Sequence, residues 1–170
     1  PSWDRTGGIW YRRGEVILHR CVFDSTYRAV GSPGGSIIAA QCNFRHITGW
    51  ALQSYDQVLA TDCSFQSDSV RWAQVDGRSG TRIERCRFSG SYGQQTTLYL
   101  AGNDIQVRDC VFGPGTSQGW NRIYFGCRNS VFENNIIEDW AIFGGIFQLR
   151  MSQPASNLFC NNVMRNCITP

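Results

Sequence analysis

The sequence of 170 residues contains no lysine, so arginine alone carries its positive charge. The 16 basic residues face 13 acidic ones, which gives a formal net charge of +3 at pH 7. The absence of lysine excludes a lysine general base, and arginine does not give up its proton near neutral pH. The arginines are interleaved with acids and the net charge is small. A surface that tracks the phosphates of a nucleic acid is therefore not expected.

Long apolar runs are also lacking. The longest, Ala141 to Phe147, is far short of the roughly 20 residues that span a bilayer, so no membrane partner is expected. The two histidines, His19 and His46, stand alone and no Cys-x-x-Cys pair occurs, so a zinc site is not expected. Charged residues make up only 17% of the chain and hydrophobic residues 42%. These proportions are typical of a folded domain with a sizeable core.

The chain has instead a repeat of the form apolar-x-apolar-x-x-Cys-x-Phe. Five clear copies have their cysteines at Cys21, Cys42, Cys63, Cys86 and Cys110. The pattern predicts a sixth copy with Ser130 in the cysteine position, and a looser seventh copy near Phe159, Asn162 and Met164. We expect the phenylalanines of this repeat to form one stacked aromatic column inside the fold, made of Phe23, Phe44, Phe65, Phe88, Phe112 and Phe132.

Within each copy, apolar and polar residues alternate with a period of two, which predicts strands, and no stretch keeps a helical period. Gly, Ser, Asn and Asp fill the gaps, as turns require. The sequence therefore predicts an all-β solenoid of about seven coils of 20–24 residues, each with about three short strands. Residues 1–170 are expected to form a single domain with a long loop insertion near 143–156.

The repeat resembles the right-handed, single-stranded parallel β-helix of the pectate-lyase-like superfamily. Asn129 and the segment Asn161-Asn162-Val163-Met164 preserve pieces of its usual repeat, and the resemblance covers roughly residues 8 to 165. It implies a fold more than an activity, because the superfamily includes polysaccharide lyases and hydrolases, phage tailspikes, adhesins and structural repeats.

The cysteine column is expected to consist of buried free thiols. Neighbours in a parallel stack lie about 4.8 Å apart with parallel Cβ directions, which is badly oriented for a disulfide. Cys127, Cys160 and Cys167 lie outside the column, and a bridge between the last two, or from one of them to Cys127, stays open. No cofactor is expected, although calcium could bind between three carboxylates in roughly equivalent turns, namely Asp56, Asp76 and Asp104.

The residues just before the cysteines form a second column, which contains the weak catalytic candidates Asp62, Arg85 and Asp109. If the column faces outward, the simpler interpretation is a solvated ladder of ion pairs. Alternatively, two carboxylates two coils apart would be separated by about 9.6 Å, near the spacing in an inverting glycosidase. An arginine between them would keep both ionised and leave no general acid. The predicted members are Arg20, Gln41, Asp62, Arg85, Asp109 and Asn129.

A further set of strands is predicted to turn an apolar face outward. With alanines inward, the outward residues are Arg28, Trp50, Trp72, Thr97 and Trp140, together with Trp10, Val30, Leu52, Gln74, Tyr99 and Ile142. Such a face should not meet bulk water. Three interpretations stay open: cover by the insertion at 143–156, packing against another subunit or domain, or a sugar platform. In the last, Trp50 and Trp72 would stack on sugars. Arg28, Arg71 and Arg122 would bind acidic ones.

The predicted function is a non-catalytic structural or binding module of an extracellular or virion-surface protein, possessing an aromatic face suited to carbohydrate. The alternative is a polysaccharide lyase or glycoside hydrolase acting on an acidic glycan. Neither end carries an amphipathic helix that would cover open strand edges. We therefore expect a longer chain with flanking domains, or a homo-oligomer such as a trimer. The extracellular or virion location follows from the resemblance alone.

Overall fold

The structure is a computed structural model that describes residues 8–70, 73–92, 97–117, 121–142, 145–149 and 156–167. These residues form twenty-two short strands joined by turns, and the described part contains no helix. It accordingly holds no helix that could cross a membrane.

The strands form three parallel sheets, and each sheet takes one strand from each coil, except that sheet C takes two from the sixth coil. Sheet A contains β1 (Ile9–Trp10), β4 (Arg28–Ser32), β7 (Trp50–Ser54), β10 (Val75–Gly77), β13 (Leu98–Asn103), β16 (Asn121–Arg128) and β20 (Gly145–Leu149). Sheet B contains β2 (Gly14–His19), β5 (Gly35–Ala40), β8 (Val58–Thr61), β11 (Arg82–Glu84), β14 (Gln106–Arg108), β17 (Val131–Glu133) and β21 (Leu158–Cys160). Sheet C contains β3 (Val22–Asp24), β6 (Asn43–Arg45), β9 (Ser64–Val70), β12 (Arg87–Tyr92), β15 (Val111–Ser117), β18 (Ile136–Glu138), β19 (Trp140–Ile142) and β22 (Val163–Arg165).

The prediction of an all-β parallel solenoid is confirmed, because every strand pairs in parallel with its counterpart in the next coil. The right-handed sense of the coil and membership of the pectate-lyase-like superfamily stay predictions. The predicted loop insertion at 143–156 is wrong in part, since residues 145–149 form β20 and pair with β16. Residues 143–144 and 150–155 lie outside the described part.

The aromatic column is present over five coils. The rings of Phe23, Phe44, Phe65, Phe88 and Phe112 stack with centroids 4.7–5.2 Å apart and interplanar angles of 3–6°. The Phe132 ring does stack on Phe112, at 6.0 Å and 24°, but the predicted strand position of Phe132 is wrong. Phe132 lies in sheet B opposite Val107, and Phe112 is followed in its column by Ile137.

The sixth repeat therefore has a different register from the predicted one. Asn135, and not Ser130, takes the position of the cysteine, and Asn162 takes it in the next coil. Ser130 comes just before β17, where its hydroxyl accepts a hydrogen bond from the N–H of Ile105 at 3.0 Å. The Cys-x-Phe spacing failed here because a phenylalanine also follows Ser130 by two residues, in the neighbouring sheet.

The bend between sheets B and C explains the column before the cysteines. Its residues are in the left-handed region, which is open to L-residues only at a cost and is adopted most readily by Asn and Asp. The member in the sixth coil is Asn134, because Asn129 lies in the bend between sheets A and B. The column, with φ between 50° and 56°, is Arg20, Gln41, Asp62, Arg85, Asp109, Asn134 and Asn161.

All eight cysteines are free thiols, as expected for the column. Each thiol in the middle of the column donates to a backbone carbonyl of its own coil, for example Cys110 to Arg108 at 3.1 Å. Burial and neighbouring thiols raise the pKa of Cys63 and Cys86 far above the ordinary range. The three cysteines outside the column also have separate partners: Leu100 O for Cys127, the Glu133 carboxylate for Cys160, and Ile137 O for Cys167.

Candidate functional site

The catalytic candidates lie on the exposed bend between sheets B and C. Arg85 grips Asp62 with two hydrogen bonds, from Nε to Oδ1 at 2.8 Å and from Nη2 to Oδ2 at 3.2 Å. These bonds lower the pKa of the Asp62 carboxyl. The charge of Asp109, in the next coil, contributes least to the raised pKa of Arg85. The arrangement is the solvated ion pair that the sequence suggested, and it leaves Asp62 unsuited to the role of a general acid.

The three calcium candidates do not occupy equivalent turns. Asp76 lies within β10 and faces outward, whereas Asp56 lies in the turn after β7 and accepts a bond from the Ser36 hydroxyl at 3.4 Å. Asp104 forms a left-handed bend at φ 58°. Over the described ranges, no three His, Cys, Asp or Glu side chains gather in a group that could hold a metal ion.

Several residues of the predicted outward tryptophan face point elsewhere. Trp140 is fully buried and contacts the Phe112 ring edge-on at 6.2 Å, so its predicted place on a binding face is wrong. Val30 and Leu52 are also core residues, contrary to expectation. Trp50 lies on the outer side but is only 9% exposed. Trp72 and Arg71 lie outside the described residues.

A β-bulge explains the misassignment of Leu52, whereas Trp140 was misassigned because its strand pairs in sheet C. The N–H groups of Ala51 and Leu52 both donate to the carbonyl of Gln74, at 3.1 and 2.9 Å. Two residues of β7 therefore oppose one residue of the next coil, and the simple alternation breaks at that point. Ala51 and Leu52 are consequently both buried, although they are adjacent in sequence.

The outward positions of sheet A form one continuous row across the coils. We call this set the outer row, and the strand register defines it as Trp10, Gly31, Gln53, Asp76, Tyr99, Tyr124 and Gln148. In the described part of the chain this row carries exposed aromatic side chains, whereas the predicted Trp50–Trp72 platform stays untested because Trp72 lies outside the described residues. Of the residues singled out from the sequence, Trp10, Tyr99 and Asp76 belong to the outer row, and Arg28 packs against it.

Two tyrosines, Tyr99 and Tyr124, lie in the outer row, and a third, Tyr55, lies beside it. The rings of Tyr99 and Tyr124 stack with centroids 4.4 Å apart and planes 4° from parallel. Tyr55 and Tyr99 are 57% and 36% exposed. The guanidinium of Arg78 lies between these last two rings, 5.3 Å from each centroid. Tyr99 is thus covered by Tyr124 and by Arg78, so the pair meets solvent mainly through ring edges and hydroxyls, and Tyr55 is the more exposed of the measured rings.

A buried carboxylate lies beneath the tyrosines. Asp76 is 7% exposed, accepts a bond from Gln53 Nε2 at 3.2 Å, and forms an ion pair with Arg78 Nη1. Burial raises the pKa of Asp76, and the charge of Arg78 and the Gln53 hydrogen bond oppose that rise in part. The outer row therefore combines aromatic faces with a fixed group of polar atoms.

A second arginine lies at the other end of the outer row. The guanidinium carbon of Arg28 is 4.7 Å from the Trp10 ring centroid and 4.6 Å from that of Trp50. Tyr27 meets the Trp50 ring edge-on at 6.1 Å. Trp10 itself is 52% exposed and covers Gly31, where a Cβ would lie 2.5 Å from the indole. Arg28 thus lies between the indole rings of Trp10 and Trp50. Gly31 leaves room for Trp10 because it has no Cβ.

Sequence reasoning missed Gln53, Tyr55, Arg78 and Tyr124. Asp76-Gly77-Arg78 contains turn residues and was expected to be a turn, whereas Asp76 and Gly77 end β10. Tyr124 lies in the strand that the misplaced sixth repeat covered. A register fixed on Asn135 would have aligned Tyr124 with Tyr99, which is the signal that the sequence did offer.

Comparison with known proteins gives little further information. No protein-family model matches the chain, and no curated protein matches it. One solved structure, described as that of a "putative glycosyl hydrolase" from Parabacteroides merdae, shows a weak similarity with a TM-score of 0.23 and 12% sequence identity. The alignment covers 96% of this chain and 79% of that one. A similarity at this level carries no argument about function.

Proposed function

We propose that this protein is a non-catalytic β-solenoid module that binds carbohydrate through the outer row of sheet A. The observation that carries the proposal is the stacked pair Tyr99 and Tyr124, whose rings are held 4.4 Å apart on the outside of a rigid sheet. Aromatic side chains on a surface contact the apolar parts of a sugar, and polar groups beside them give orientation.

Polar groups of that kind adjoin the tyrosines. Gln53 and Asp76 lie in the two preceding coils of the outer row and are joined by a hydrogen bond of 3.2 Å. Arg78 is fixed by Asp76 and by the rings of Tyr55 and Tyr99. Because these side chains are already ordered, little conformational entropy would be lost when a ligand binds.

Binding is favoured over catalysis by the state of the carboxylates. Glycoside hydrolases generally use two carboxyl groups, one on each side of the bond that is cleaved. Asp76 is engaged by Gln53 and Arg78, and Asp62 is paired with Arg85 at a different bend. The polysaccharide lyase or hydrolase alternative is therefore kept as an outcome of the experiment below.

We propose further that the module belongs to an extracellular or virion-surface protein and works beside flanking domains or within a homo-oligomer, such as a trimer. Large apolar side chains at both ends of the solenoid support an assembly, since contiguous exposed apolar surface usually marks an interaction site. These include Ile17 and Val22 in the first coil and Leu158 and Met164 in the last. The proposed location is supported by the fold resemblance alone.

The test is a glycan array probed with the wild-type chain, followed by titration calorimetry with the saccharides that bind. Tyr99→Ala should weaken binding by about tenfold, in line with the loss of an aromatic contact in a binding site. Gln66→Ala, an exposed change on β9 of sheet C, is the matched control and should leave affinity unchanged.

Product formation is measured in the same samples. Release of reducing ends or unsaturated products would favour the enzyme alternative. Failure of every saccharide to bind, or equal affinity in Tyr99→Ala and wild type, would contradict the proposed function.

A further inference from the structure

Arg28 and Arg78 both pack against the outer row between two aromatic rings, but only Arg78 has a counter-ion in the described structure. Arg28 lies between two indole rings, and Arg78 lies between two phenol rings. Arg78 has a counter-ion in Asp76, its ion-pair partner. Within the residues that the structure describes, no acidic side chain forms an ion pair with Arg28.

The absence of a counter-ion is unfavourable for Arg28 because its side chain is partly buried. Its Nε atom is buried and, in the described part of the chain, has no hydrogen-bond partner. Burial lowers the pKa of Arg28, and the groups that act electrostatically in the opposite direction are the phenols of Tyr27 and Tyr55. A partly desolvated cation without a counter-ion is unfavourable unless an anion completes it.

The position of Arg28 places it on the proposed binding surface. Its Cδ lies 3.1 Å from the point that a Cβ on Gly31 would occupy, so the side chain runs along the outer row. Tyr55 lies near both arginines, because its ring contacts Arg78 and its hydroxyl is close enough to Arg28 to influence the pKa of that arginine. A saccharide stacked on the tyrosines could therefore also reach Arg28.

We infer that Arg28 is the anion-binding residue of this surface, and that the ligand is an acidic oligosaccharide whose carboxylate or sulfate supplies the counter-ion that Arg28 lacks. The inference rests on the proposed carbohydrate-binding function and adds the class of ligand. A guanidinium is suited to this role because its planar N–H groups match the oxygens of both anions and it stays charged.

The experiment compares acidic oligosaccharides with their neutral counterparts. The probes are uronic-acid and sialic-acid oligosaccharides with their carboxyl-reduced forms, and sulfated oligosaccharides with their desulfated forms. Wild type should bind at least one acidic member about tenfold more tightly than its neutral form, and salt at about 0.5 M should reduce that ratio. The pair that shows the ratio tells whether carboxylate or sulfate is recognised.

Three variants separate Arg28 from a general charge effect. In Arg28→Gln the ratio should fall to about one, whereas Arg28→Lys should keep part of it because the charge remains. Arg82→Gln removes the same charge from an exposed position on β11 of sheet B and should leave the ratio unchanged. Circular dichroism shows whether each variant is folded. If Arg28→Gln does not fold, the comparison of Arg28→Lys with wild type is the test.

The outcomes separate the two proposals. If neutral forms bind wild type as tightly as acidic ones, or if the acidic preference survives in Arg28→Gln, the inference about Arg28 is wrong and the carbohydrate-binding function stands. An equal loss in Arg82→Gln would also overturn it. If no saccharide of either kind binds, both the inference and the proposed function fail.

Discussion

Asn135 takes the place of a cysteine one coil after Cys110, and its Oδ1 accepts the backbone N–H of Cys110 at 2.9 Å. Its Nδ2 donates to the carbonyl of Val107 at 3.0 Å, and Oδ1 of Asn162 in the next coil accepts the N–H of Asn135 at 3.0 Å. The solenoid therefore changes from a thiol column to an asparagine ladder along one line. In the ladder, side-chain amides satisfy buried backbone groups of the neighbouring coil.

Asn135→Ala should destabilise the fold by about 2–4 kcal/mol, because it leaves buried backbone groups of Cys110 and Val107 without their partners. The loss is measured as the free energy of unfolding in urea. Asn43→Ala is the matched control, since the Asn43 Oδ1 has no hydrogen-bond partner in the described structure. A loss in Asn43→Ala as large as that in Asn135→Ala would contradict the ladder's role.

Gln41→Gly should stabilise the fold by about 0.5–1 kcal/mol. Gln41 has φ 56°, a conformation that costs a residue with a Cβ more than it costs glycine. The variant also loses an exposed hydrogen bond from Arg20, which is of small value. The neighbouring change Ala40→Gly, in the extended strand β5, should destabilise instead. If both glycines shift the urea midpoint downward, the left-handed strain at Gln41 is not significant.

Gly31→Ala should displace Trp10 from its place over Arg28. The added methyl would lie 2.5 Å from the indole, which must move because the other side is solvent. We expect a change in tryptophan fluorescence and weaker saccharide binding with little change in melting temperature. Gly34→Ala provides the control, since its nearest neighbour would be 3.4 Å away. Unchanged fluorescence in Gly31→Ala would contradict the described packing.

The stability conferred by Asp76 should depend on pH with a definite sign. Its pKa is raised in the folded state above the ordinary value of 3.8, so folding favours the protonated carboxyl. Any stability gained in this way is present below the unfolded pKa and is lost as pH rises through the folded pKa. In Asp76→Asn, the side-chain amide at this position does not titrate. Its unfolding free energy should therefore improve relative to wild type from about pH 4 upward.

The measurement is urea unfolding of both proteins at a series of pH values from about 3 to 7. A relative gain by wild type over the same interval would mean that the pKa of Asp76 is lowered in the folded protein. That result would mean that the ion pair with Arg78 and the hydrogen bond from Gln53 outweigh the effect of burial, and it would contradict the prediction.

The sequence was sufficient to predict the fold because a parallel solenoid repeats its core at a nearly constant interval. Cys42, Cys63 and Cys86, each followed by a phenylalanine, mark three coils without ambiguity. The predicted register was wrong in the sixth coil, where no cysteine marks the repeat. Asn135 replaces the cysteine in the sixth coil, and the apparent continuation through Ser130 and Phe132 belongs to sheet B.

The candidate site was less predictable, because it depends on which residues face outward. The bulge at Ala51 and Leu52 shifts the alternation by one position, so Leu52 was assigned to the surface and Gln53 was missed. Contacts between coils are also invisible to periodicity. The ring contact of Arg78 with Tyr55 and the hydrogen bond of Gln53 with Asp76 require the register of two successive coils.

The central claim, that the outer row binds saccharide, is tested most directly by NMR of ring-labelled tyrosines during titration with a saccharide from the array. The resonances of Tyr55, Tyr99 and Tyr124 should shift in a saturable manner. Tyr11, whose hydroxyl donates to the carbonyl of Ser36, provides an internal reference and should not shift. Saturable binding that leaves the resonances of all three tyrosines unchanged would place the ligand on another surface and contradict the account.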